Sequence, residues 1–178
     1  MYGLMRYPLV ASRSNMKRFP VIIRLASICA VTFLIVACAG GTDEQNSSRF
    51  GEWELVLADL PGALMSIWGT ASNDIWVVGA DPGDGAGPAV VHYDGEVWKR
   101  LSTGHSGDLW WVYGFKDGPI YMGGTNGMIL RYKEGIFDRM QTPGSGTVYG
   151  IWGIAPNDLW AVGGNVTDGA FAWRFLGT

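Results

Sequence analysis

Few residues in this chain could do chemistry. Its only thiols are Cys29 and Cys38, and its only imidazoles are His92 and His105. Neither histidine has a Cys, Asp or Glu neighbour at metal-ligand spacing, so both read as surface histidines rather than ligands. Asp81 and Asp84, in Asp81-Pro82-Gly83-Asp84-Gly85, could offer oxygens to a calcium ion. That loop lacks the further ligands and the terminal glutamate of a calcium site, and it reads as a plain insertion. Lys99-Arg100 reads as a solvated strand-edge pair rather than an anion site. There is no serine nucleophile elbow and no phosphate loop. The residues therefore point to no catalytic set, no metal site and no cofactor.

Both cysteines fall in the first forty residues, which have a character of their own. Arg6, Arg13, Lys17, Arg18 and Arg24 form a basic stretch, and an apolar run from Leu25 to Ala37 follows. The run is shorter than the roughly 20 residues of a spanning helix and ends in small residues, so residues 1–37 read as a signal peptide. Met16-Lys17-Arg18 is a more usual start for such a peptide than Met1. Ile35-Val36-Ala37-Cys38 resembles a bacterial lipobox, in which the cysteine becomes the acylated N-terminus. The alternative is an ordinary secretory signal with an incidental cysteine. The resemblance implies a domain anchored to a membrane by acyl chains at Cys38, and Ala39 after the cysteine implies the outer membrane of the cell envelope. With Cys29 removed and Cys38 acylated, no thiol is left for a disulfide or a nucleophile.

Charge divides at the same point. All 16 acidic residues follow Cys38 but only 8 of the 13 basic ones do, which gives the mature chain a net charge of −8. An acidic domain repels phosphate backbones, so nucleic acid is excluded as a partner. Residues 38–51 are small and polar after the cysteine and read as a tether.

From about residue 52 the chain repeats itself. Ser66-Ile67-Trp68-Gly69 recurs as Trp111-Val112-Tyr113-Gly114 and Gly150-Ile151-Trp152-Gly153. A second block follows each: Asp74-Ile75-Trp76-Val77-Val78-Gly79, Pro119-Ile120-Tyr121-Met122-Gly123-Gly124, and Asp158-Leu159-Trp160-Ala161-Val162-Gly163. The steps between copies are 45 and 39 residues, and the six extra residues lie in the Gly/Pro-rich stretch before Tyr93. A third block ends at Tyr93, Tyr132 and Phe175, and a fourth carries Trp98 or Phe137. Trp53 stands 16 residues before Gly69, as Trp98 does before Gly114 and Phe137 before Gly153, so residues 52–57 read as a lone fourth-type strand. The blocks are short, rich in Val, Ile and aromatics, and bounded by turn residues, which predicts strands. No stretch shows helical spacing.

Four short strands per repeat of about 40 residues predict an all-β chain of propeller blades, three of them here. The Trp-Gly…Asn-Asp-Ile/Leu-Trp…Gly pattern resembles the short propeller repeats of exported proteins in myxobacteria-like organisms, with kelch repeats as the second label. The blades are placed at 65–101, 110–140 and 148–178, the last incomplete. Asn73-Asp74 and Asn157-Asp158 are expected to cap tight turns. Gly79, Gly124 and Gly163 are expected where blades converge on a narrow channel. Trp68, Trp76, Trp98, Trp152 and Trp160 are expected to pack between blades rather than stack on a sugar.

The resemblance implies a binding or scaffold module on the cell surface with a protein or glycan ligand. The alternative is a propeller glycosidase or lyase, which would need paired carboxylates roughly 5 to 9 Å apart. Asp74 and Asp158 recur in one position of two copies, as fold residues do. Propellers have about four to eight blades, so three blades predict the N-terminal part of a longer propeller, or a homodimer of two halves closing six. The lipobox makes a direct prediction: mass spectrometry finds the mature N-terminus at Cys38, acylated. An unmodified Cys38 would remove the anchor.

Overall fold

The structure is a computed structural model, and it describes residues 51–167 and 169–177. The expected signal peptide at 1–37, the lipidation site Cys38 and nearly all of the tether lie outside the described residues. Residues 51–56 form part of a separate unit and carry no strand. The lone strand expected at 52–57 is therefore not formed: residues 51–60 take up no ladder partner, and a strand exists only where a neighbour satisfies its backbone.

From Leu57 onward the chain is all-β, with no helix among the described residues. Three antiparallel sheets follow one another in the chain. The first comprises β1 (Leu64–Ala71), β2 (Asp74–Gly79), β3 (Val90–Tyr93) and β4 (Trp98–Arg100). The second comprises β5 (Leu109–Gly114), β6 (Ile120–Gly124), β7 (Ile129–Lys133) and β8 (Ile136–Arg139). The third has three strands, β9 (Thr147–Ala155), β10 (Asp158–Asn165) and β11 (Gly169–Leu176). Each is a meander in sequence order, because the connections are short and the strands alternate in direction. The turn between β7 and β8 shows why: Glu134 and Gly135 both have positive φ, 52° and 85°, the mirror-image turn that matches strand twist.

The repeat keeps its central pairing in three dimensions. Trp68 pairs with Trp76, Tyr113 with Tyr121 and Trp152 with Trp160. Each first strand is bulged near its start, which brings its entering carbonyl over the end of the second strand. A Cβ on Gly79, Gly124 or Gly163 would lie 1.9, 2.2 or 1.9 Å from the carbonyl oxygen of Ala63, Asp108 or Thr147. These glycines thus admit backbone within their own sheet, and the expected crowding between blades is not what requires them.

Strand alternation gives every sheet two apolar faces, a front and a back. The front of the first sheet (Trp68, Trp76, Val78, Val90) packs on the back of the second (Val112, Ile120, Met122, Leu130). The front of the second (Tyr113, Tyr121, Ile129) packs on the back of the third (Ile151, Leu159, Ala161, Trp173). The first strands lie nearest one another, and their side chains bridge the sheets. Trp111 Nε1 donates to the Ile151 carbonyl at 2.9 Å, and the Tyr113 hydroxyl to that of Gly153 at 2.7 Å. On the back of the first sheet Val77, Val91 and Trp98 are covered by Leu57 and Leu60.

Replacing Gly79, Gly124 or Gly163 by alanine is expected to destabilise the domain by about 2–3 kcal/mol, since the obstructing atom is backbone. Gly83→Ala, where a Cβ meets nothing within 4 Å, should cost only the roughly 1 kcal/mol of a left-handed residue. Urea midpoints at constant slope separate the two classes.

Candidate functional site

The recurring acids are not turn caps. Asp74 and Asp158 begin β2 and β10, and neither they nor the preceding asparagines have positive φ. Their carboxylates instead reach across the sheet. Asp74 accepts from Thr70 Oγ1, from Trp76 Nε1 at 3.0 Å and from His92 Nε2 at 2.8 Å. The His92 ring lies stacked on Trp76, centroids 4.0 Å apart and 19° from parallel. In the third sheet Arg174 takes the place of His92: its Nε and Nη2 bond the two oxygens of Asp158 at 3.0 and 2.9 Å, and its guanidinium lies 5.2 Å over the Trp160 ring. The middle copy has Pro119 where the acid would be, and Arg131 pairs instead with Asp138 on β8 at 2.9 Å.

An acid, an aromatic two residues on, and an imidazole or guanidinium opposite the aromatic thus form one cross-strand unit in the first and third sheets. Sequence reading gave His92 no carboxylate partner, and the structure gives it Asp74. The usable signal was the third block, where His92, Arg131 and Arg174 occupy one register position opposite Trp76, Tyr121 and Trp160.

These contacts set the electrostatics. Burial pushes the Asp74 carboxyl up, but hydrogen bonds from Thr70, His92 and Trp76 outweigh it and hold it below the ordinary carboxylate value. The hydrogen bond from Arg174 lowers Asp158, and that from Lys99 lowers Asp94. Burial raises the Tyr121 hydroxyl, which donates to the Pro156 carbonyl at 2.8 Å.

The six-residue insertion is tied down rather than loose. The Asp81 N–H donates to Asp108 Oδ1 and Asp81 Oδ2 accepts from the Gly107 N–H, both at 2.9 Å. Asp84 pairs with Arg100, whose side chain also donates to the Gly87 carbonyl at 3.0 Å. Asp81 and Asp84 therefore face different partners and do not converge, and Arg100 is no solvated edge residue. The Thr125 N–H continues the line to the Asp108 carbonyl, and the Gly127 N–H to that of Gly146. One end of the sheets thereby carries a continuous hydrogen-bonded ridge of loops. Among the described residues no three His, Cys, Asp or Glu side chains gather as metal ligands, and no helix is long and apolar enough to cross a membrane.

The aromatic repeat residues divide by position. Trp76, Trp98 and Tyr121 are buried and Trp68 half-buried. Tyr93 lies 5.1 Å from Trp98, and Tyr132 lies 4.7 Å from Phe137, as cross-strand pairs. Trp152 and Trp160 stand exposed on the front of the third sheet, so they pack against no sheet of this chain. Behind them a cleft of about 130 Å³, lined by Ile129, Met140, Ile151, Leu159, Trp173 and Phe175, opens between the second and third sheets. In the equivalent space between the first and second sheets, Met122 stands where the third has Ala161, and Phe137 of a fourth strand adds to the filling.

No family model matches the chain, and no curated protein or solved structure matches it significantly.

The depressed carboxylates fix the acid response. A carboxyl with a lowered folded pKa contributes stability above its unfolded value, about 3.9, and that contribution is lost as pH falls through the folded value. The thermal midpoint is expected to hold steady from pH 7 to about 5 and to fall below about pH 4. Asp158→Asn should make that fall shallower. An unchanged acid slope in melts of the variant would count against the Arg174 pairing.

Proposed function

We propose that this is a lipid-anchored envelope protein whose sheets are blades of a β-propeller acting as a binding or scaffold module. The observation that carries the reading is the face-to-back stacking of one repeat, with the first strands nearest one another and the connections collected at the two ends. This arrangement supports the reading of the sheets as propeller blades. The ridge from Asp81 to Gly146 then supplies a rigid end surface for a protein or glycan ligand, with its loops held by Asp81, Asp108 and Arg100.

The glycosidase or lyase alternative has no observation in its favour. The two acids that recur are engaged with Trp76, His92 and Arg174 and belong to separate copies of one motif. Lipid at Cys38 and the acidic mature chain fit a module displayed at a membrane surface, with no nucleic acid partner.

The test is a panel of glycans and esters offered to the full-length chain, read for both binding and turnover. The expected result is no turnover, with any glycan binding weakened at least tenfold by Asp81→Ala, which unties the ridge. Turnover abolished by a single Asp or Glu replacement would establish an enzyme instead.

A further inference from the structure

The back of the first sheet is covered, and not by a sheet. Val77, Val91 and Trp98 are 5%, 0% and 8% exposed. Their counterparts on the second sheet, at the same places in the ladders, are Met122, Leu130 and Phe137. Those three pack in one cluster with Trp76, Val78 and Val90 of the first sheet. On the first sheet itself Leu57 and Leu60, from the segment that precedes β1, take the place of such a front. The cover is partial. Ile67 on the inner strand is 68% exposed, whereas its counterpart Val112 is 2% exposed.

The way this segment is held differs from the way the sheets hold one another. Residues 57–62 belong to no strand, and among the described residues no backbone hydrogen bond joins them to the sheet. The first tie comes at Ala63, whose carbonyl accepts from the Ala80 N–H at 2.9 Å. The chain is fitted closely there, since a Cβ on Gly62 would lie 3.1 Å from the Ala80 carbonyl oxygen. The segment thus has a fixed foot and an arm that rests on the sheet through two apolar side chains. Asp59, between the two leucines, has a φ of 59°, a left-handed conformation that a non-glycine residue keeps only where its surroundings impose it. Lifting the arm relieves that conformation and breaks no backbone hydrogen bond to the sheet. Parting the first and second sheets, by contrast, breaks the bonds between Asp81 and Asp108, between Gly107 and Asp81, and from the Val112 N–H to Ser66 Oγ.

We propose that residues 57–62 form a displaceable lid, which stands in for the front of a preceding sheet and opens while the three sheets stay folded. Local opening of this kind is drawn from segments with few apolar contacts and no buried ladder. Closed, the lid withholds from the first sheet the contact that the backs of the second and third sheets make. Open, it bares Val77, Val91 and Trp98 and joins them to Ile67 as one apolar face. The device lies in the fold itself and does not rest on the binding-module reading.

Thiol labelling of full-length chains under native conditions reads the opening. Val91→Cys sets a thiol beneath the lid and Val112→Cys one beneath the first sheet, both with little change of volume. Unaltered chains give the background from Cys29 and Cys38, and labelling in urea gives the rate of each exposed thiol. Val91→Cys is expected to react at least about tenfold faster than Val112→Cys once each is scaled to its exposed rate. Adding Leu60→Asp should speed Val91→Cys by about tenfold more and leave Val112→Cys within about twofold. Where Leu60→Asp does not fold, Leu60→Ala is read instead, with a gain of at least about threefold confined to Val91→Cys. Equal rates at the two positions, or a Leu60 variant that speeds both alike, would mean that the segment opens only as the domain unfolds, and would overturn the lid.

Discussion

A four-stranded sheet of this repeat has apolar residues on both faces, and among the described residues there is no helix to cover either. Burial of a side chain such as Trp76 is worth about 3 kcal/mol, and for the fronts of the first two sheets the next sheet supplies the surface. The front of one sheet against the back of the next is therefore the interaction on which the molecule rests. Trp68, Trp76 and Val78 reach into Val112, Ile120 and Met122, and Tyr113 and Tyr121 into Ile151 and Leu159. The middle sheet is the only one covered on both sides by other sheets. The bulged strand starts and the three glycines that admit them recur in all three sheets.

Inside the sheets, electrostatics follows packing. A tryptophan at the centre of a second strand presents a ring to the residue opposite, and a cation or imidazole there gains from lying over it. The acid two residues earlier is then within reach of that side chain. Asp74 with His92 and Asp158 with Arg174 are two versions of one arrangement, and Arg131 keeps its cation by turning to Asp138 where Pro119 has removed the acid. This explains why the acids recur without forming a pair that could act on a substrate.

The strands and their order were legible because the blocks are short, separated by Gly, Asn, Asp and Pro, and repeated in step. The blocks that carry Tyr93 and Trp98, and Tyr132 and Phe137, became neighbouring strands in which each two aromatics pair directly. What the sequence could not carry was context. Trp53 has the spacing of Trp98 but no ladder to join, and residues 51–60 stay without a strand. Trp160 is identical in kind to Trp76 yet exposed, because covering it depends on a neighbouring sheet and not on its own repeat. The role of Gly79 was misplaced for a similar reason: a close backbone approach is visible only once the bulge is known. Asp74 was read as a turn cap, since a side chain that reaches across two strands leaves no mark on local spacing.

The asymmetry between the middle sheet and its neighbours also sets how the domain comes apart. In an array whose members touch only the adjacent ones, opening an end member breaks one interface and opening the middle one breaks two. Amide hydrogens of β5 and β6, flanked on both sides, belong to the last unit to exchange with solvent. Those of β11, which has one ladder partner among the described residues, belong to the first. The chain is thus graded in cooperativity from its centre outward, and whatever covers the front of the third sheet converts a fraying end into a second centre.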